Sequence, residues 1–157
     1  MLGSMARPVD DFTLRKIMVS TDFSKLGDAA FAAAFRLAAD HRASLLAVHV
    51  LDLPETPSPL YAHYMPLPSP AQLSEAKVQA LAELEGRLAG ARQRGVSARA
   101  VLVAGDPAVE IVRLAAARRI SLIVLATHGR TGIRRFALGS VAEKVVRTAP
   151  CAVMVIR

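Results

Sequence analysis

Leu122-Ile-Val-Leu-Ala-Thr-His-Gly-Arg-Thr-Gly-Ile-Arg-Arg-Phe-Ala-Leu-Gly-Ser140 changes character twice along its length. Leu122 to Ala126 is apolar without a break. A half-buried strand alternates, so an unbroken run predicts a strand covered on both faces, as in a parallel sheet. A segment rich in glycine and arginine follows. Ser140-Val-Ala-Glu143 then has the spacing of a capping box and predicts a short helix opening at Ser140. Strand, loop and helix in that order are the building step of a parallel α/β sheet.

The rest of the chain repeats the step. Lys16 to Thr21, Ser44 to Val50, Ser97 to Val103 and Ala152 to Ile156 are further apolar runs. The first and last are nearly continuous in Ile, Val and Met. The Ser97 run alternates more, as an edge strand does. Between the runs lie helical patterns over Asp28 to Ala39, Ala71 to Arg94 and Pro107 to Arg119. Ser69-Pro70 and Asp106-Pro107 each offer a cap followed by a proline suited to a first helical turn. Gly95 suits a helix end. The order is β-α-β-α-β-α-β-α-β. Right-handed crossovers then predict an α/β fold: an open, doubly wound, five-stranded parallel sheet in strand order 3-2-1-4-5, with helices on both faces. Residues 15–157 are expected to form one domain after a flexible N-terminus over residues 1–14. Asp52 to Pro70 holds six prolines, Pro54, Pro57, Pro59, Pro66, Pro68 and Pro70, and reads as a long loop within that domain.

Composition narrows the function classes. Hydrophobic residues make up 53% of the 157, which is too apolar for disorder. Aromatics are 4% and Trp is absent, so the core is aliphatic and a base-stacking platform is disfavoured. The lone Cys151 excludes an intrachain disulfide and any multi-cysteine metal site, and fits a reducing, cytoplasmic compartment. No signal segment and no membrane-spanning run stands out. The net charge of +7 is concentrated at one end: from Ile111 onward there are nine basic residues and a single acid, Glu143. A phosphorylated ligand or a nucleic acid could answer such a charge. The scarcity of aromatics and the lack of a helix-turn-helix pattern weigh against nucleic acid.

In an open parallel sheet the ligand crevice lies beyond the carboxyl ends of the strands where strand order reverses. Here that point lies between Ser20-Thr21-Asp22-Phe23-Ser24 and Ala126-Thr127-His128-Gly129. Gly129, Gly132 and Gly139 allow close backbone approach, and the helix start at Gly139-Ser140 offers amides and a dipole to an anion. Arg130, Arg134 and Arg135 add charge. The residues describe a phosphate cradle, or equally a set of turn glycines beside a helix cap. The Gly-Lys pair of a Walker loop is absent, and no G-x-G-x-x-G follows the first strand.

Three pieces resemble the universal stress protein family: Lys16-Ile-Met-Val-Ser-Thr-Asp-Phe-Ser24, Leu45-Leu-Ala-Val-His-Val-Leu-Asp52, and Ala126-Thr-His-Gly129 through Gly139-Ser-Val-Ala-Glu-Lys144 to Ile156. Together they extend over nearly the whole chain. The family's ATP-binding branch is marked by G-x2-G-x9-G-[ST]. Gly129, Gly139 and Ser140 match it, and Ala126 replaces the first glycine. The resemblance implies ATP, with Mg2+ carried by the nucleotide, and a role as a stress-response or signalling module. At most it implies slow ATP hydrolysis, with no catalytic residue; the lack of a carboxylate cluster near the loop predicts no protein metal site. It places Thr21 and Asp22 near the adenosine end and the Val50 backbone against adenine. Ala126, Thr127, His128, Gly129, Arg130, Gly132, Gly139, Ser140 and Val141 fall around the phosphates. Plainer readings stand beside these: Asp22 as a helix cap, Val50 as core, His128 as loop filling. His49 reads as a packed, hydrogen-bonded strand histidine and Cys151 as buried and inert. The alternative function is a protein-interaction module of the branch that binds no nucleotide. The bare strand Ala152 to Ile156 is expected to pair with a second copy as a homodimer, and the resemblance implies the same arrangement.

Overall fold

A computed structural model describes residues 13–52, 68–127 and 138–157. Most of the expected flexible N-terminus (1–12) and of the proline-rich loop (53–67) lies outside the described residues. The strands are β1 (Lys16–Ser20), β2 (Ser44–Asp52), β3 (Ala98–Gly105), β4 (Leu122–Ala126) and β5 (Ala152–Ile156). They form one parallel sheet in the order β3-β2-β1-β4-β5, as the sequence predicts. The helices are α1 (Lys25–His41), α2 (Pro70–Gln93), α3 (Pro107–Arg118) and α4 (Ser140–Thr148).

The unbroken apolar runs are explained by two cores, one on each face of the sheet. Ile17, Val19, Leu45, Ala47, Leu122 and Val124 pack under α1 and α2. Met18, Val48, Val50, Ile123 and Leu125 pack under α3 and α4. Successive strand residues point to opposite faces, so a strand covered twice can spare no position for a polar group. Helix α1 meets the sheet through Gly27, Ala30, Ala34 and Ala38, all buried. Side chains this small let its backbone come close to β1 and β4.

Local chemistry shifts three boundaries. Helix α1 begins at Lys25 rather than Asp28, because the Ser24 hydroxyl accepts the Gly27 amide at 3.1 Å and serves as its cap. That also removes the reading of Asp22 as the α1 cap. Strands β2 and β3 run on to Asp52 and Gly105, two residues past their apolar runs, because they continue to pair with each other. The expected capping box at Ser140 does not form. The N-cap is Gly139, which has no side chain, and Ser140 is the first helical residue. The Glu143 amide donates to the Gly139 carbonyl at 2.9 Å, so the helix opens at Ser140 as expected but without a side-chain cap.

Candidate functional site at the strand-order reversal

Strands β1 and β4 are neighbours, and their carboxyl ends open the crevice between β1–α1 and β4–α4. On the first side, Thr21 leaves the sheet after one last bond, from its amide to the Val48 carbonyl at 3.0 Å. Its hydroxyl is buried and accepts the Phe23 amide at 3.0 Å. Asp22 Oδ1 accepts both the amide and the hydroxyl of Ser24, at 3.1 and 2.6 Å. Asp22 Oδ2 is buried and accepts no hydrogen bond among the described residues. A buried carboxylate oxygen without a donor is costly, so this atom is an acceptor awaiting a partner.

The loop is held from several sides. Phe23 has φ 63, a left-handed conformation that a bulky residue adopts at a cost. Its ring stacks on His49 at 4.4 Å and lies 4.8 Å beneath the Arg87 guanidinium. Arg87 also bonds Asp28 at 2.9 Å and Glu83 at 2.7 Å, which ties α2 to the start of α1. His49 Nδ1 sits 2.8 Å from the Thr21 carbonyl. A carbonyl only accepts, so Nδ1 carries the proton and donates. His49 is thus the packed, hydrogen-bonded histidine that the sequence predicts. Gly27 lies directly under the loop. A Cβ there would stand 2.9 Å from both Asp22 Oδ1 and Thr21 Oγ1.

Strand β2 passes beyond the end of β1. Their pairing stops at Ser20 with Val48, whereas β2 continues to Asp52. Val50 therefore presents backbone at the rim of the crevice while its side chain packs into the core under α3 and α4.

On the second side, Ala126 ends β4 opposite Ile156. It is not among the non-glycine residues with positive φ, which are Phe23, Arg42 and Arg119 among the described residues. Thr127 is buried; its amide donates to Ile156 and its carbonyl accepts the Gly139 amide, both at 2.8 Å. The chain before and after the intervening loop is thereby pinned together. The Gly139 amide is consumed by that bond. The first intrahelical bond of α4 starts from Glu143, so the amides of Ser140, Val141 and Ala142 have no partner within the helix. These three, with the positive end of the helix dipole, could donate to an anion on this side. Ala142 is an addition to the set read from sequence. His128, Gly129, Arg130 and Gly132 lie outside the described residues.

The described groups can bind but do not form a nucleophile–base pair: amide donors suit anion oxygens, and a carboxylate acceptor suits a hydroxyl or amine. Cys151 is half-buried away from this rim at the start of β5, and burial pushes its thiol above the ordinary value. A thiol so placed is a poor nucleophile.

Comparison with known proteins agrees with this fold. The profile of the universal stress protein family matches residues 13–157. A universal stress protein of Methanocaldococcus jannaschii is 34% identical over 149 residues, covering 91% of this chain and 82% of that one. The relative YxiE of Bacillus subtilis is 33% identical over 145 residues, covering 90% and 98%. The structure of UspA from Lactobacillus plantarum superposes with a TM-score of 0.73 at 30% identity, covering 92% of this chain and 99% of that one. A universal stress protein from Archaeoglobus fulgidus in complex with dAMP has the same fold, with a TM-score of 0.63 at 23% identity over 91% of this chain and 98% of its own. This chain belongs to the universal stress protein family.

Proposed function

We propose that the chain binds ATP in the crevice between β1 and β4 and acts as a nucleotide-responsive stress or signalling module. One observation carries the reading: among the described residues Asp22 Oδ2 is buried without a donor on one wall, and three helix amides have no acceptor on the other. An adenine nucleotide supplies both missing halves. Its ribose or base offers donors to Asp22, and its phosphates accept from Ser140, Val141 and Ala142. The Val50 backbone would meet the base, and Thr21, Ala126, Thr127 and Gly139 would shape the walls. His128, Gly129, Arg130 and Gly132 would complete the phosphate side. The dAMP complex of the Archaeoglobus fulgidus protein supports the reading at the level of fold. Mg2+ would arrive with the triphosphate and keep most of its waters. Among the described residues no cluster of His, Cys, Asp or Glu is placed to hold a metal alone.

Mass spectrometry of freshly purified, denatured protein tests the assignment, with calorimetric titration of ATP as its second arm. ATP or ADP released on denaturation, or saturable binding weakened by Asp22→Ala, is the expected result. Neither co-purified nucleotide nor binding at millimolar ATP would favour the interaction module that binds no nucleotide.

The same proposal includes a homodimer through β5 and a cytoplasmic location. Among the described residues strand β5 pairs only with β4, and Met154 on it and Val146 on α4 are 36% and 47% exposed. A second copy would cover this edge about a two-fold axis. Light scattering at micromolar concentration is expected to give twice the chain mass of 16.7 kDa, and Met154→Pro to reduce it. A wild-type value near one chain mass would end the dimer reading. The lone cysteine suits a reducing compartment. Among the described residues no helix is long and apolar enough to cross a membrane.

A further inference from the structure

The opposite end of the sheet carries a feature that nucleotide binding does not use. In a parallel α/β sheet every strand start and every helix end lies at the same edge. Here that edge holds Arg15, Lys16, Arg42, Arg94, Arg118 and Arg119, all exposed. In the described segments that make up this face, Asp40 is the only carboxylate. Hydrogen bonds make the face rigid. The Ser44 amide donates to the Arg15 carbonyl at 3.0 Å, the Ser121 amide to the Lys16 carbonyl at 2.9 Å, and the Leu45 amide to the Ser97 carbonyl at 2.8 Å. Lys16 Nζ reaches the Arg118 carbonyl at 3.3 Å. Strand spacing gives the face a width of roughly 19 Å.

A second observation is independent of charge. Arg42 and Arg119 sit in the left-handed conformation, with φ 53 and φ 52. Each follows a helix in a Schellman ending, where the next amide reaches back to close the turn: Ala43 to Ala38 and Ile120 to Ala115, both at 2.9 Å. Glycine is the ordinary residue at that position. The chain uses glycine in the same place after α2, where Gly95 has φ 80 and the Val96 amide reaches Ala91 at 3.1 Å. Arginine therefore occupies two positions where it strains the backbone. The helix dipoles do not require this, because the last turns of α1, α2 and α3 already contain His41, Arg92 and Arg118. Backbone strain retained at an exposed cluster of one residue type is a mark of function.

We propose that this amino-end face docks the phosphate backbone of duplex nucleic acid, without reading its sequence. Five of the six cations are arginines, whose planar fork matches phosphate oxygens in pairs. Among the described residues Val146, in the last turn of α4, is exposed toward this edge, and a lone valine is not a membrane-inserting patch. No aromatic among the described residues is exposed there to stack single-stranded bases. The scarcity of aromatics and the absence of a helix-turn-helix bear on reading bases, not on holding phosphates. The surface and the ATP crevice lie at opposite ends of the strands, so each can be tested without the other.

Fluorescence anisotropy with a labelled duplex of mixed sequence, about 20 base pairs long, is the test, run from 50 to 200 mM NaCl. Binding is expected to weaken linearly on a log–log plot, by ~0.9 in slope for each phosphate contact. The double variant Arg42→Gly/Arg119→Gly keeps both helix endings, so it is expected to fold and to melt about 2–4 °C higher per site. Its salt slope is expected to be shallower by about 2, with ATP affinity unchanged. The proposal is overturned by an unchanged slope in that folded variant, or by no wild-type binding at 50 mM NaCl. Tighter binding to polyglutamate or to anionic vesicles than to the duplex at equal salt would also overturn it, by assigning the face to another partner.

Discussion

Helices α1, α2 and α3 begin with a side chain that closes the first turn, and α4 does not. Ser24 accepts the Gly27 amide, Ser69 the Gln72 amide and Asp106 the Val109 amide. At α4 the cap is Gly139, which has nothing to offer. Each of the three capped starts satisfies one of its orphan amides with its own side chain; the fourth satisfies none that way, at the point where strand order reverses. A start left open at the strand-order reversal is what the proposed binding role requires. Facing it, the β1–α1 loop is over-determined: Gly27 lies beneath it, His49 and Arg87 sandwich Phe23, and one Asp22 oxygen is held while the other is left over. One wall is rigid and lacks a donor; the other has donors and lacks an acceptor.

The sharpest way to break the contrast is to give α4 the cap it lacks. Gly139 has φ −62 and ψ 153, which any residue adopts. Gly139→Asp would turn a carboxylate onto the α4 amides, where it gains a few tenths of a kcal/mol as a cap and complements the dipole. The same carboxylate would occupy the anion site with like charge. ATP affinity is expected to fall at least a hundredfold, ~2.7 kcal/mol, while thermal stability holds or rises. Unchanged affinity in calorimetry would remove the phosphates from this helix start.

The rigid wall can be broken from below. Gly27→Ala would normally help a helix. Here the new methyl carbon would meet Asp22 Oδ1 and Thr21 Oγ1 at 2.9 Å. Asp22 Oδ1 cannot swing away without releasing Ser24. A net loss of about 1–3 kcal/mol in urea denaturation is expected, together with weaker ATP binding. A stabilised variant would show that the loop is not packed on the helix as described.

A capped start serves as the control. Asp106 accepts the Val109 amide at 3.0 Å and pairs with Lys144 at 3.0 Å. The Val109 bond first, and the Lys144 ammonium next, hold its carboxyl below the ordinary range. A group whose folded value is depressed stabilises above its unfolded value, about 3.9, and loses that contribution as pH falls through the folded value. Asp106→Ala is expected to cost about 1 kcal/mol at pH 7, with no effect on ATP binding beyond stability. The difference between wild type and variant is expected to shrink below about pH 4. A difference equally large at pH 3 in chemical denaturation would contradict the ionic origin.

Much of the fold could be read in the sequence because strands covered on both faces leave an unmistakable mark. Val-Ile-Leu runs give strand positions, and the crossover rule gives the order. The same logic made His49 conspicuous as a polar residue in an apolar strand. The helix starts were harder, because the cap signals compete. Asp22, Ser24 and Asp28 all qualify by type at α1, and hydrogen-bond geometry alone selects Ser24. At α4 the Ser-x-x-Glu signal loses to the bond between Gly139 and Thr127, a contact across the loop that no local pattern carries. The left-handed residues were invisible for the same reason. Phe23, Arg42 and Arg119 are poor candidates by type; Phe23 is held between His49 and Arg87, and the two arginines by the backbone bonds of their helix endings. Within the candidate site, Asp22 and Ser140 stood out by position. Gly27 became apparent only through what a side chain there would strike.

The smallest expected effect concerns Ala126, which stands where the resemblance implies a glycine of the ATP-binding pattern. If that alanine were the reason for a lost site, glycine would restore affinity. The backbone argues otherwise. Ala126 is an ordinary strand residue opposite Ile156, with no positive φ for glycine to relieve. Its side chain packs against the core beneath α1 and α2. Removing the methyl group therefore loses packing and adds freedom to the unfolded chain. Ala126→Gly is expected to cost roughly 0.5–1 kcal/mol of stability and to change ATP affinity by less than about threefold, ~0.7 kcal/mol. Calorimetric titration beside a melting curve decides it. A tenfold gain in affinity would mean that the methyl group obstructs the phosphates, and the open start of α4 would then be only half of what the site requires.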